Sequence, residues 1–175
     1  MDFLFYCRDR PGVTPLLMRL AEAHWEFMDG YADRLLMRGP TLTDGDEHTG
    51  SLHIVRLDSI ADTETFAYQE PFYRAGAYEA VTIRRWHDKL GRAIRDFKPN
   101  ANDPLFLVLG ETATPPEVPT QHRDRFAAFG WTQSLDSAAW TGFAAILQAP
   151  NSYAVDTLLA GSAVEIHRWC IGGRR

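Results

Sequence analysis

Apolar and polar positions alternate between two rhythms along this chain. Residues Phe3 to Arg8 are apolar and aromatic and stop at Asp9-Arg10-Pro11-Gly12, which predicts a strand followed by a turn. Thr14-Pro15 then opens a helix, because proline suits a first helical turn where its missing N–H is not needed. Leu16, Leu17, Leu20, His24, Phe27, Met28 and Tyr31 recur at steps of three and four, the spacing of one helical face. Leu35 to Met37 reads as a short strand ending at Gly39-Pro40, and Thr41 to Thr49 as a polar hairpin loop. Ser51 to Leu57 is a third strand. Asp58 or Ser59 caps a second helix carrying Ile60, Thr63, Phe66 and Ala67, which Glu70-Pro71-Phe72 breaks. Ala80 to Trp86 is a fourth strand, with Val81, Ile83 and Arg85 on one face.

The order β-α-β-β-α-β within the first 90 residues is the split pattern of a ferredoxin-like domain, two helices covering one face of an antiparallel sheet. After a polar linker, Asp96 to Asp103, the pattern restarts. It reads as a strand at 105–109, a proline-rich turn at 112–119, a helix over Gln121 to Phe129 and a short strand at 132–135. A strand at 142–148, a helix at 151–159 capped by Asn151 or Ser152, and a strand at 163–170 complete it.

The two closing strands correspond, Val81, Ile83, Arg85 and Trp86 standing against Val164, Ile166, Arg168 and Trp169, and Gly50 corresponds to Gly142. An internal duplication accounts for this, with halves at 1–95 and 103–175. From Gly50 to Trp86 is 36 positions and from Gly142 to Trp169 is 27, so the second half is nine shorter. The missing piece is about Gln69 to Ala77, the turn that sets an acid beside a proline. A site needing that acid belongs to the first half alone.

Composition narrows the function. The chain has 175 residues, 45% hydrophobic and 23% charged, which is a globular composition. A net charge of −5 argues against a nucleic-acid-binding face. The sequence has no apolar run long enough to span a membrane and no signal-peptide pattern at its start, so no membrane partner and a cytoplasmic location are expected. Cys7 and Cys170 are too few for a disulfide framework or a cysteine-rich zinc site. Asp44, Asp46, Glu47 and His48 are clustered hard ligands without the spacing of a calcium loop, and read as a solvated hairpin tip. No metal and no cofactor is expected, since nothing signals haem, flavin or nicotinamide binding. Cys7 reads as a buried, inert thiol, His48 and His53 as exposed strand residues, and Gly172 to Arg175 as a flexible tail.

The first half, about residues 1 to 90, resembles the YCII-related (YciI-like) family. The residues that carry the resemblance are Tyr6, Arg19, His24, Gly39-Pro40, Gly50-Ser51, Glu70-Pro71-Phe72, Gly76 and Trp86. The second half resembles a degenerate copy, with His122 on its first helix and no acid-Pro-Phe turn. The resemblance implies an α+β fold in which two ferredoxin-like sheets pair as a dimeric α/β barrel. Here the two halves of one chain would form that barrel as an intrachain pseudo-dimer, and further association into a homodimer stays open. It also implies an active-site pair, a helix histidine and an aspartate in an Asp-Pro-Phe turn, which map to His24 and Glu70. Glutamate keeps the charge, and its extra methylene makes the carboxylate reach further and leaves it less fixed.

An imidazole beside a carboxylate serves as a general acid or base near neutral pH. His24 and Glu70 are therefore the candidate catalytic residues, for elimination, isomerisation or hydrolysis of a small cyclic or aromatic compound. Some relatives in the family are associated with dehydrochlorination of a chlorinated hydroxyquinol. Candidate substrate-binding residues are Tyr6, Arg19, Ser51 and Phe72, although Arg19 lies five positions before His24, about 140° away around the helix. On pattern alone, a histidine among Leu17, Leu20, Phe27 and Met28 is more often a hydrogen-bonded core residue. A non-catalytic small-ligand-binding or regulatory module is the alternative.

Overall fold

The computed structural model describes residues 1–159 and 164–173 of the chain. It is a mixed α and β fold of eight strands and four short-to-medium α-helices among those residues. It divides into two compact units, residues 1–84 with 171–175 and residues 85–170. The division falls inside a strand of the first domain's pattern rather than at the polar stretch 96–103, which lies within the second unit.

The first unit runs β1 (Asp2–Asp9), α1 (Thr14–Asp29), β2 (Leu35–Leu42), β3 (His48–Arg56), α2 (Ala61–Tyr68), α3 (Pro71–Arg74) and the first part of β4 (Tyr78–Asp88). The sheet order is β4-β1-β3-β2. β1 and β3 are antiparallel with Phe5 opposite His53 and Cys7 opposite Ser51. β2 and β3 are antiparallel with Arg38 opposite His53 and Pro40 opposite Ser51. β2 therefore does not end at Gly39-Pro40 but continues to Leu42, because proline is tolerated where a strand position needs no N–H donor.

Alternate residues of β1 take opposite faces of the sheet. Phe5 packs on Phe66 of α2 at 4.6 Å, and Cys7 clusters with Leu17 of α1 and Phe72 of α3, so Phe5 and Cys7 face the helices. Ser59 and Asp62 start α2 reciprocally. The Ser59 hydroxyl accepts from the Asp62 N–H at 3.3 Å, and the Asp62 carboxylate accepts from the Ser59 N–H at 2.9 Å.

The second unit contains β5 (Leu105–Glu111), β6 (Phe126–Gln133), β7 (Trp140–Gln148), α4 (Ser152–Leu158) and β8 (Val164–Trp169). Its strand order is β8-β5-β7-β6, and β6 also pairs with residues 85–88 of β4. The Asn151 side chain caps α4 by accepting from the Ala154 N–H at 2.9 Å. Phe106, Val108, Phe126, Phe129 and Phe143 form its apolar centre.

The helix expected over Gln121 to Phe129 is absent. A single 3-10 turn, Arg123–Arg125, leads into β6, and of the short strand expected at 132–135 only Thr132 and Gln133 are strand, as the end of β6. Phe126, Ala127, Ala128 and Phe129 are all buried, as a strand covered on both faces requires. Such a run has no alternation and reads as helix or strand equally well. The second unit is thus β-β-β-α-β rather than the expected βαββαβ, and His122 sits before the 3-10 turn, not on a helix. Ala163, the expected start of the last strand, lies outside the described residues. Among the described residues no helix is long and apolar enough to cross a membrane.

Candidate functional site

The site is assembled by three elements of the first unit: α1, the turn before α3, and β3. Glu70 has extended backbone, with ψ 132°, and Pro71 opens α3 directly after it. A carboxylate at this position can fold back onto the helix's free N–H groups. Glu70 does so, accepting from the Tyr73 N–H through Oε2 at 2.9 Å. Gly76, at φ +73°, then turns the chain out of α3 toward β4.

The other carboxylate oxygen of Glu70, Oε1, lies 2.7 Å from Nδ1 of His24 on α1. The two residues are 46 positions apart in sequence and meet as the resemblance implies. The glutamate is not loosely held: both oxygens are engaged, and its side chain is 4% exposed. Using the longer side chain as a helix cap takes up the extra methylene. His24 is 14% exposed, and its ring stacks on Phe72 at 4.3 Å with a 4° interplanar angle. With a carboxylate at Nδ1, the neutral ring carries its proton there and presents Nε2 as the basic nitrogen. Nε2 has no hydrogen-bond partner among the described residues.

Beneath the pair, the helix-facing side of the sheet carries a buried polar row. Burial pushes the Cys7 thiol far above its ordinary range, and the carboxylates of Glu70 and Asp9 add to the shift. Cys7 is accordingly an inert thiol. Tyr78 is raised well above its ordinary value by burial first, then by Cys7 and Glu70, with the Ser51 hydroxyl opposing. His53 corrects an expectation. It is not exposed but buried, 3% exposed, with its ring 6.1 Å from His24 and edge-on to Phe66. Burial, then the charges of His24 and Arg38, lower its pKa to about 3.

The other sequence candidates divide. Phe72 and Ser51 lie on the same side of the sheet as the pair. Tyr6 alternates with Phe5 and Cys7 and so points to the opposite face, where the Arg8 guanidinium lies 5.8 Å from its ring. Arg19 is exposed on α1. At the hairpin tip His48 is drawn to β1, its Nδ1 2.5 Å from Asp9 Oδ2. Among the described residues no group of three or more His, Cys, Asp or Glu side chains is placed to hold a metal ion. Sequence reading misses Arg38 and His53. The one available signal is a charged residue inside the apolar stretch Leu35-Leu36-Met37-Arg38.

Two solved structures resemble the chain, one over about half of it and the other over nearly all of it. One is a 5-chloro-2-hydroxyhydroquinone dehydrochlorinase from Burkholderia phenoliruptrix AC1100 in complex with 2,5-dihydroxybenzoquinone. It is 32% identical over 49% of this chain and 93% of that one, with a TM-score of 0.47. The other is a candidate monooxygenase from Lactobacillus acidophilus NCFM, 9% identical over 97% of this chain and 92% of that one, with a TM-score of 0.49. No curated protein matches the chain significantly in sequence. Residues 1–87 match the family model of the YCII-related domain, and the first half of the chain belongs to that family.

Proposed function

We propose that the first unit is a cofactor-free acid–base enzyme acting on a small cyclic or aromatic compound. The observation that carries this reading is the His24–Glu70 contact, in which the carboxylate holds the ring by one oxygen and its own helix cap by the other. Nδ1–H donates to Glu70, so Nε2 is free to take a proton from the substrate. The imidazolium that forms is stabilised by the carboxylate at 2.7 Å and is oriented by the stacked Phe72 ring. The proton then goes back to another atom of the substrate, giving isomerisation, or to a departing group, giving elimination. A base of this kind contributes about 10²–10⁴-fold in rate.

The second unit is read as a degenerate copy of the first. Its strand order supports this, β8-β5-β7-β6 matching β4-β1-β3-β2. Among its described residues it has no helix in the place of α1, and its sequence has no acid-Pro-Phe turn, so it carries no second pair. That loss favours one alternative, a module that binds a small ligand without turning it over.

One experiment separates the two. A panel of lactones and hydroxylated ring compounds is incubated with the full chain in D2O and followed by proton NMR. Deuterium incorporation or product formation that disappears in His24→Ala, with circular dichroism unchanged, is the expected result. Saturable binding of panel members with no exchange and no turnover would leave the binding module as the correct reading.

A further inference from the structure

Arg38 and His53 are direct cross-strand neighbours on β2 and β3, so their side chains leave the sheet on the same face, the one covered by α1. The reach of Arg38 toward Asp29 at the end of α1 agrees, although that ion pair is long, 3.8 Å. Nη1 of Arg38 is buried and has no hydrogen-bond partner among the described residues. Buried guanidinium N–H groups are ordinarily satisfied, and one that is not calls for an explanation.

The C-terminal stretch also lies against Arg38. The Gly172 N–H donates to the Arg38 carbonyl at 2.9 Å, which pins a residue of the expected flexible tail onto β2. At Gly173 a Cβ would stand 2.9 Å from Nη2, so the tail backbone lies directly against the fork. His53 completes the group. Its ring is 6.1 Å from that of His24 and makes no hydrogen bond among the described residues. It stays neutral at ordinary pH, so it keeps one N–H to donate. Glu70 occupies the Nδ1 edge of His24, the edge away from the basic Nε2.

We propose that Arg38 and His53 form an anion subsite beside His24, which receives a negatively charged oxygen of the substrate. The proposal rests on the acid–base reading for its chemistry. When Nε2 removes a proton from a C–H bond next to a carbonyl group, the bonding pair moves to form C=C and the carbonyl oxygen becomes an oxyanion. Donors already aimed at that oxygen stabilise the transition state because they need no reorganisation. The oxyanion then collapses to C=O. The electron pair returns to a carbon that takes back the proton from His24, or it expels a leaving group as its anion. A substrate that carries a carboxylate would use the same donors in its ground state. The substrate class is therefore a ring compound bearing an acidic C–H beside a carbonyl or carboxylate oxygen.

The test uses benzoate and benzamide as probes, matched in shape and different in charge. The full chain, with labelled histidine, is titrated with each at one fixed pH. Benzoate is expected to shift the His53 and His24 ring resonances saturably, and benzamide to leave them unchanged over the same range. Arg38→Gln should weaken benzoate at least tenfold and remove the preference, and Arg38→Lys should restore part of it. A residue that merely supports the fold would not change charge preference. If Arg38→Gln does not fold, Arg38→Lys and His53→Gln are read for the same preference. Equal binding of the two probes, no saturable benzoate binding, or an unchanged preference in all the variants would overturn the proposal. His24→Ala keeps the two readings apart, because it should abolish turnover and retain benzoate binding.

Discussion

Replacing Glu70 by glutamine tests the site most sharply, because the two oxygens of the carboxylate do different work. Oε2 caps α3 through the Tyr73 N–H at 2.9 Å, and Oε1 accepts from His24 Nδ1 at 2.7 Å. A glutamine has one acceptor and one donor end. The carbonyl can keep the cap only if the amide N–H group faces His24. An N–H cannot face another N–H, so the ring must accept at Nδ1 and carry its proton on Nε2. The substitution therefore preserves the fold and exchanges the tautomer, removing the basic nitrogen from the substrate side. A charge-assisted hydrogen bond contributes about 1.5–3 kcal/mol and a neutral one about 0.5–1.5, so the net loss is on the order of 1 kcal/mol. For a chain of this size that lowers Tm by roughly 2–4 °C. Glu70→Ala, by contrast, loses the cap, typically about 1 kcal/mol, and orphans the Nδ1–H for a further 1–3 or so. The assays are thermal unfolding and nitrogen-15 NMR of the His24 ring, which distinguishes a protonated from an unprotonated Nδ1. Activity should fall by about 10²–10⁴-fold in the glutamine variant. A Glu70→Gln chain that still protonates Nδ1, or that is as destabilised as the alanine variant, would refute this account of the pair.

Three further outcomes are expected. His53 has a folded pKa of about 3 against an ordinary 6.5, so between those values the unfolded chain binds a proton that the folded one does not. Stability contributed at this site is complete above 6.5 and falls as pH drops toward 3, by up to about 1.4 kcal/mol per pH unit, and chemical unfolding of His53→Gln at a series of pH values should show a flatter acid limb. Cys7, buried with its thiol pushed up, should resist a thiol-specific reagent in the native protein and react only on unfolding; rapid native labelling of Cys7, located by peptide mapping, would contradict its place under α1. At Gly130 of β6 an added Cβ would collide with the Trp86 ring, so Gly130→Ala should destabilise the second unit by roughly 1–3 kcal/mol, read as a lowered midpoint of denaturant unfolding.

Sequence periodicity by itself determined the elements with one wet face. The spacing from Leu16 to Tyr31 located α1, and the proline at its start marked its entry. The resemblance, carried by short motifs, paired His24 with Glu70, and the two side chains do meet. Periodicity fails where both faces of an element are covered. Phe126 to Phe129 is apolar without alternation, so a buried strand reads as a helix, and β3 hides the burial of His53 in the same way. Register is equally invisible. That Arg38 stands opposite His53, and that Tyr6 turns away from the helices while Cys7 turns toward them, follows from how strands pair across 15 positions of chain in one case and 44 to 46 in the other. Local spacing carries the period of one element. Only the packed sheet decides which residues of separate elements share a face, because that choice depends on contacts that no single stretch of chain contains.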